Sequence, residues 1–515
     1  PAPAPAEPAA VASAPAPAPR RRPSPDATFT APAAVLHTDG IWTADGHRHD
    51  LPAQLTHVGH LAQVVHELNL GTQVTARRSE PGQLWVTAEA LASLGVDVAQ
   101  IPADPTERVE AVHGLTRGAE LVTAAQAEGW TIGGSGDGLR AWTRVWRGEQ
   151  RGVWIALIPA MNADPLEVPV LADCPSPATL ARRLALFASQ LQAPWAMGAS
   201  ATGIDLMISL RFKDRDKLFS PRKPVPPAAI ATLEQDLNWS RVPTDDEREQ
   251  TYLHAYDRGG SYAAGVAGLE LGIGDAEHHP EGRDFDPKLP GYWKVEVPES
   301  GDWRIPHPLV PRGTMPAQPI WVTTPGLQLA WELGHQPQIL AAYTWPEHSR
   351  VLDPWYERIR DARSALDTAD PDAQSARDLL KIVYTRTIGM MGSEEWMRDR
   401  AGYDPARRHH IVAKARTNIL RRVLQIGRDS DRWPVAITAD TVLYASADPD
   451  PVTAWPGKPE QLGRGLGQFK PEASGLLVDQ LPHLTGRGYK GKELLGPAGS
   501  TAGTGTTAEV AEVGQ

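Results

Sequence analysis

A mixed α/β (α+β) fold is what this sequence predicts, and three stretches carry the reading. "RAWTRVWRGEQRGVWIALIP" (140–159) sets two runs of aromatic and β-branched residues around a polar turn, the pattern of a strand pair. "SPATLARRLALFASQLQ" (176–192) has apolar residues at helical spacing behind a serine, which predicts an amphipathic helix capped by Ser176. "PVAITADTVLYAS" (434–446) is an apolar run broken by one acid, Asp440, and reads as a hairpin with "TAD" at its tip. A carboxylate inside such a run is costly to bury unless something pairs with it, so Asp440 needs a reason to be there.

Composition narrows the classes. With 515 residues, 41% hydrophobic and 22% charged, the chain is expected to form two to four domains around a sizeable core. No apolar run approaches the roughly 18 residues of a membrane span, so no membrane partner is expected. The opening "PAPAPAEPAAVASAPAPAP" lacks the charged and apolar regions of a signal peptide, and its first residue, Pro1, predicts that an N-terminal part is missing. A single cysteine, Cys174, excludes an internal disulfide and a cysteine-cluster metal site and fits a reducing cytoplasm. A net charge of -11 argues against coating the whole surface with polyanion, but leaves room for a local basic channel.

Along the chain, residues 1–34 are Pro/Ala-rich and read as a linker, and the last twenty as a flexible tail. Residues 35–140 mix short helical and strand-like segments; "GGSGDG" (133–138) reads as a hairpin turn, since it lacks the Lys-Ser/Thr of a phosphate loop. A proline-rich shift at 214–227 precedes a helical signal, "AIATLEQD" (229–236), and marks a boundary. "PWYERIRDARSALDTADPDAQSARDLLKIVYTRTIGMMG" (354–392) predicts an antiparallel helix pair whose second member starts at Asp370-Pro371. "ARRHHIVAKARTNILRRVLQIGR" (406–428) holds seven Arg or Lys and no acid, at intervals that predict a basic amphipathic helix.

Three features follow one another in a telling order. "DRGGSY" places Asp257 before a Gly259-Gly260 turn and Tyr262; "KIVYTRTIG" runs from Lys381 to Gly389; "TADTVLY" carries Asp440 at a hairpin tip. The ordered set resembles motifs A, B and C of the family B DNA polymerases, D-x-x-S-L-Y, K-x-x-x-N-S-x-Y-G and D-T-D-S, and "LGQFKPE" (466–472), with Lys470, resembles the stretch after motif C. The short spacing is most similar to the protein-primed branch. Departures are Gly260 and Ser261 in motif A, Thr385, Arg386 and Ile388 in motif B, and Thr438 and Thr441 in motif C.

The resemblance implies a right-hand polymerase, with palm and fingers, and a degenerate exonuclease-like N-terminal α/β domain. No Asp-x-Glu on a strand precedes Asp257, so that domain is expected to lack an exonuclease metal site. Asp257 and Asp440 are implied as the catalytic pair holding Mg²⁺ (or Mn²⁺), because in-line nucleotidyl transfer uses two ions about 3.5–4 Å apart. Tyr262, Arg360, Arg363, Lys381 and Gly389 are implied for the dNTP, and Arg407, Arg408, Lys414, Arg416 and Lys470 for template and primer DNA through phosphates.

The layout expected is a linker (1–34), the N-terminal domain (35–240), a first palm segment with motif A and an insertion (241–353), fingers (354–392), a second palm segment with motif C and a small thumb (393–495), and a tail (496–515). The function expected is a DNA-directed DNA polymerase at DNA ends, cytoplasmic and nucleoid-associated, with a terminal protein as a candidate primer. Ala/Arg/Pro-heavy usage suggests a GC-rich genome, and with the expected missing N-terminal part the chain resembles, by analogy, the telomere-associated proteins of linear actinobacterial replicons, which act with a terminal protein. The alternative is a DNA-end or telomere-binding scaffold on a catalytically weakened polymerase fold. Trp355 and Trp396 are candidates to stack on a base. The histidines of "HRH" (47–49) and "HHPEGRD" (278–284) read as surface residues.

Overall fold

A computed structural model describes residues 29–134, 136–161, 167–220, 225, 234–299, 302–484, 489 and 494–497. Most of the expected linker and tail, and most of "AIATLEQD", lie outside the described residues. Two sheets organise the rest, giving a mixed α/β fold.

The first sheet has seven strands: β1 (Ala33–His37), β2 (Gly40–Trp42), β3 (Arg48–His49), β4 (Gln83–Val86), β5 (Trp130–Ile132), β6 (Trp142–Arg147) and β7 (Val153–Leu157), in the order β3-β2-β1-β4-β7-β6-β5. The centre, β1-β4-β7, is parallel, and the flanks are antiparallel hairpins. The predicted strand pair is β6 and β7, and "GGSGDG" joins β5 to β6. Central strands read "AAVLH", "QLWV" and "VWIAL" because both their faces are covered. Helices α1 (Val58–Glu67) and α2 (Glu120–Ala127) cover one face. Helix α3 (Pro177–Leu191) lies on the other, with Ser176 accepting from the Thr179 N–H at 3.2 Å, a cap worth about 1 kcal/mol.

The predicted helix pair is α4 (Asp353–Leu366) and α5 (Pro371–Met390), and the basic helix is α6 (Pro405–Ser430). Asp370 caps α5 and also pairs with Arg182 of α3 at 2.6 Å. Composition sets a boundary at 214–227, yet packing crosses it: Leu379, Leu380 and Val383 of α5 share one apolar core with Leu180, Leu184 and Phe187 of α3. Trp355, a candidate for base stacking, belongs to that core and donates Nε1–H to the Gly203 carbonyl at 3.1 Å, so it has no free face; Trp396 is exposed.

The second sheet has six antiparallel strands: β8 (Asn238–Ser240), β9 (Tyr252–Arg258), β10 (Ala436–Thr438), β11 (Thr441–Ser446), β12 (Phe469–Leu476) and β13 (Gly496–Pro497), in the order β8-β10-β11-β9-β12-β13. Its faces alternate cleanly. Tyr256, Val442 and Tyr444 pack on Ile419, Leu420 and Val423 of α6, while Leu253, Ala255, Leu443 and Ala445 pack on Leu477 and Leu484. Between β9 and α4 sits a separate four-stranded sheet (277–279, 291–295, 320–323, 339–344), where the insertion was expected; His278 and His279 lie on its edge strand. No helix among the described residues is long and apolar enough to cross a membrane.

Where α6 meets this small sheet, His409 Nδ1 and the Tyr292 hydroxyl share a hydrogen bond of 2.8 Å. Burial lowers the His409 imidazolium to about 4, with Arg408 and His410 adding to the fall. The unfolded chain therefore takes up this proton first, near pH 6.5. Stability from the neutral form is complete above that and is lost as pH falls toward 4, by about 3 kcal/mol in all. Urea midpoints should drop between pH 7 and pH 5. His409→Asn, whose Oδ1 keeps an acceptor for Tyr292, should reduce that dependence, the remainder coming from the buried His254, His307 and His410, which burial also lowers; an unchanged slope would refute the assignment.

Candidate active site

The two acids singled out from the sequence, far apart in the chain, come together through strand pairing. In the β9/β11 ladder Asp257 stands opposite Thr441, and Arg258 donates its N–H to the Asp440 carbonyl at 2.9 Å. Opposed Cα atoms in an antiparallel pair are about 4.5–5.5 Å apart, which seats Asp440 one residue from the point facing Asp257. The hairpin tip is as read: Thr438 pairs with Thr441, leaving Ala439 and Asp440 as the turn. Ala439 sits at φ 51°, left-handed, where a Cβ costs about 1–2 kcal/mol. Its N–H donates to the Leu237 carbonyl at 2.6 Å, which helps hold the strained tip.

Asp257 faces the same side of the sheet as its cross-strand neighbours Thr441 and Lys470. Lys470 Nζ lies 3.3 Å from Asp257 Oδ2. A third acid, which the sequence reading missed, joins them: the β9/β12 register shifts between Ala255 and Tyr256 at a bulge that falls on Glu472, and Glu472 Oε2 accepts from the Thr441 hydroxyl at 3.1 Å. A bulge carries no reliable sequence signature, so nothing in "FKPEASG" marked it.

After Asp257 the chain turns at Gly259-Gly260. Gly260 has φ 58°, a left-handed conformation that calls for glycine; a Cβ there would also lie 2.4 Å from the flexible end of Leu466, Cδ2, which would have to shift. The turn leads into the helix Ser261–Val266, on which Tyr262 donates its hydroxyl to the Asp236 carboxylate. Burial raises the Tyr262 phenol above its ordinary range, Asp236 adds to the rise, and the Asp440 charge contributes less. Arg258, on the opposite face from Asp257, is lowered to about 10 by burial and by Arg422, with Asp440 opposing.

A basic cluster flanks the acids. Arg363 of α4 is buried, donates to the Tyr384 hydroxyl, and forks onto the Arg464 carbonyl at 2.9 and 3.2 Å. Its Nη2 is 3.4 Å from where a Cβ on Gly259 would lie. Arg377 of α5 and Arg464 both approach Asp367 Oδ1, at 3.5 and 3.0 Å, so two guanidinium groups share one carboxylate. Burial holds the Tyr384 phenol above its usual range, against the pull of Arg363 and Arg377, and Asp257 adds to the rise. Arg377, Tyr384 and Arg464 were not foreseen. Tyr384 and Arg377 lie seven residues apart on one helical face, a spacing that could have flagged them together.

Other expected residues are placed differently. Lys381 is exposed and lines a surface groove with Pro169, Asp173, Ser375 and Asp378. Arg360 is exposed, paired with Asp361 at 2.9 Å, and Gly389 lies in the open at the end of α5. Two of the five residues expected on DNA are corrected. Arg407, 4% exposed, pairs with Asp404 at 3.1 Å and donates to the Gly272 carbonyl. Arg416, 5% exposed, pairs with the buried Glu234 at 2.8 Å and donates to the Gln235 carbonyl. Neither can reach a phosphate, because an amphipathic helix buried on several sides turns some of its cations inward. Arg408 and Lys414 are half-buried, and burial lowers the Lys414 ammonium.

Residues 34–197 match the family model of a domain of unknown function, DUF8841. No curated protein matches. Among solved structures the chain is similar to Phi29 DNA polymerase in three complexes. With primer-template DNA in the post-translocation binary complex, identity is 12% over 76% of each chain, with a TM-score of 0.42. With primer-template DNA and incoming nucleotides, identity is 11% over 77% of each chain, with a TM-score of 0.43. With single-stranded DNA, identity is 13% over 77% of this chain and 76% of that one, with a TM-score of 0.39. No residue role is transferred from them.

The burial of Arg416 has a testable consequence. Arg416→Ala leaves Glu234 charged and buried and should cost about 3–5 kcal/mol of stability in chemical denaturation. A variant as stable as wild type would overturn the structural role given to this arginine.

Proposed function

We propose that the chain is a DNA-directed DNA polymerase of the B type, extending a primer at DNA ends by nucleotidyl transfer. One observation carries the reading: the β9/β11 register that sets Asp257 opposite Thr441 and beside Asp440. Asp257 on β9, Asp440 in the hairpin turn next to its cross-strand neighbour Thr441, and Glu472, bonded to Thr441, offer oxygen donors of the kind Mg²⁺ or Mn²⁺ takes. Asp257 and Asp440 would hold the metal. Bound there, it supplies charge stabilisation for the attacking and leaving oxygens.

The chain's own residues account for the rest. Arg377 and Arg464, sharing Asp367, and Arg363, held by the Arg464 carbonyl, leave an excess of positive charge beside the acids, suited to a triphosphate. Tyr262, anchored by Asp236, would bound the sugar and exclude a 2′-hydroxyl by contact. Lys381, with Arg360 and Gly389, belongs to the approach of the nucleotide along the fingers helices α4 and α5. Arg408, Lys414 and Lys470 would take template and primer phosphates. In keeping with the motif resemblance, a terminal protein's hydroxyl is the primer proposed at a DNA end.

A second reading has its own support. Lys470 already places an ammonium 3.3 Å from Asp257, and Thr438 stands where the resemblance expects an acid. Both favour a DNA-end-binding scaffold on a catalytically weakened polymerase fold.

Incorporation of labelled dNTP on a primed template, with Mg²⁺ or Mn²⁺, separates the two. The polymerase reading expects extension by wild type and background signal from Asp440→Asn and Asp257→Asn, with DNA binding retained. Salt-sensitive binding without extension would favour the scaffold, and absence of both would sink each. Arg408→Ala should weaken DNA binding uniformly across sequences and reduce the salt slope by about 1; an unchanged slope would remove this residue from the interface.

A further inference from the structure

A second cluster of ligating side chains lies in the seven-stranded-sheet domain, remote in sequence from the acids above. His57 is the N-cap of α1 but makes no capping bond with its side chain. It is 2% exposed, and neither ring nitrogen makes a hydrogen bond. Such unsatisfied burial costs about 1–3 kcal/mol. Nε2 points to the Glu128 carboxylate at 3.1 Å without the alignment of a hydrogen bond. His60, one turn on, stacks on His57 with ring centroids 3.7 Å apart and takes only a long 3.4 Å contact at Nδ1 from the Thr56 N–H. One donor atom from each of His57, His60 and Glu128 lies within 4.8 Å of the other two.

The charges around this triangle ask for a cation. Glu128 is the C-cap of α2, where the helix end is itself negative and a carboxylate is disfavoured. A metal ion among the three would satisfy the buried ring, offset the carboxylate and complement the helix end at once. Two imidazole nitrogens and one carboxylate oxygen suit Zn²⁺, or Co²⁺ in its place, and not Mg²⁺ or Ca²⁺. Tetrahedral zinc bonds of about 2.0–2.2 Å set donors about 3.3 Å apart, within reach of a rotamer change of the half-exposed Glu128.

We propose that His57, His60 and Glu128 bind one zinc-class ion, which ties the start of α1 to the end of α2. This reading is independent of the polymerase proposal.

The test uses the full chain, stripped of metal and titrated with Co²⁺ in excess Mg²⁺, so that oxygen-only sites are occupied. Wild type should take up one Co²⁺ per chain with the visible absorption of four-coordinate cobalt, displaced by Zn²⁺, and its thermal midpoint should rise with Zn²⁺. Glu128→Gln and His60→Gln should each weaken binding by about tenfold or more and abolish the thermal shift. Replacement of the buried His57 is avoided because it disturbs the core. His47→Ala/His49→Ala, which removes the exposed His47 and the half-buried His49 of another part of the domain, should leave binding intact. Uptake unchanged in Glu128→Gln and His60→Gln, or lost with that pair, would overturn the proposal, as would a wild type that binds neither ion.

Discussion

Antiparallel pairing of β9 with β11 is the constraint on which the second half of this molecule depends. Side chains alternate along a strand, so a slip of one residue would turn Asp257 onto the face where Tyr256, Tyr444 and α6 pack. The register is pinned from both sides. The Tyr256 hydroxyl donates to the Pro451 carbonyl at 2.8 Å within an aromatic cluster, and Leu253, Ala255, Leu443 and Ala445 fill the other face. Only where that apolar cover ends do Asp257, Thr441, Lys470 and Glu472 gather. The polar group occupies one end of a sheet whose remainder is fixed by apolar packing.

Helix α6 is the brace behind this sheet. Its composition is that of a phosphate-binding element, yet much of its charge is spent within the protein: Arg407 on Asp404, Arg416 on Glu234, and Arg421 on Glu332 at 2.8 Å. Its histidines pack against Tyr292 and Trp345 of the small sheet region. A helix of 26 residues wedged between two sheets has too little free surface for all its cations to face solvent. Basic character in a sequence is therefore a weaker guide to a nucleic-acid surface than the identity of the cations left outside.

The helix pair α4/α5 joins the two sheet systems. Arg182 and Arg183 of α3 engage Asp370 and Asp372 at the start of α5, and Arg183 forks back to Asp173. Its other side supplies Arg363, Arg377 and Tyr384 to the acidic site. A rearrangement of this pair would thus be felt at both the seven-stranded sheet and the carboxylates, because its buried faces are shared.

Local chemistry is what the sequence determined by itself. The strand pair at 140–159, the Ser176 and Asp370 caps, the hairpin tip at Asp440 and the long helix 405–430 follow from periodicity, turn residues and capping side chains, which act over a few positions. The proximity of Asp257 and Asp440 was legible only through an ordered set of motifs, since no spacing rule links residues so far apart. Tertiary structure decided the rest. It chose which arginines face inward, recruited Arg377, Tyr384 and Arg464, set Glu472 against Thr441 at a bulge, and brought His57 and His60 to Glu128. Each of those outcomes depends on the packing of distant elements, and burial and pairing energies of that kind are set by neighbours that the local sequence does not name.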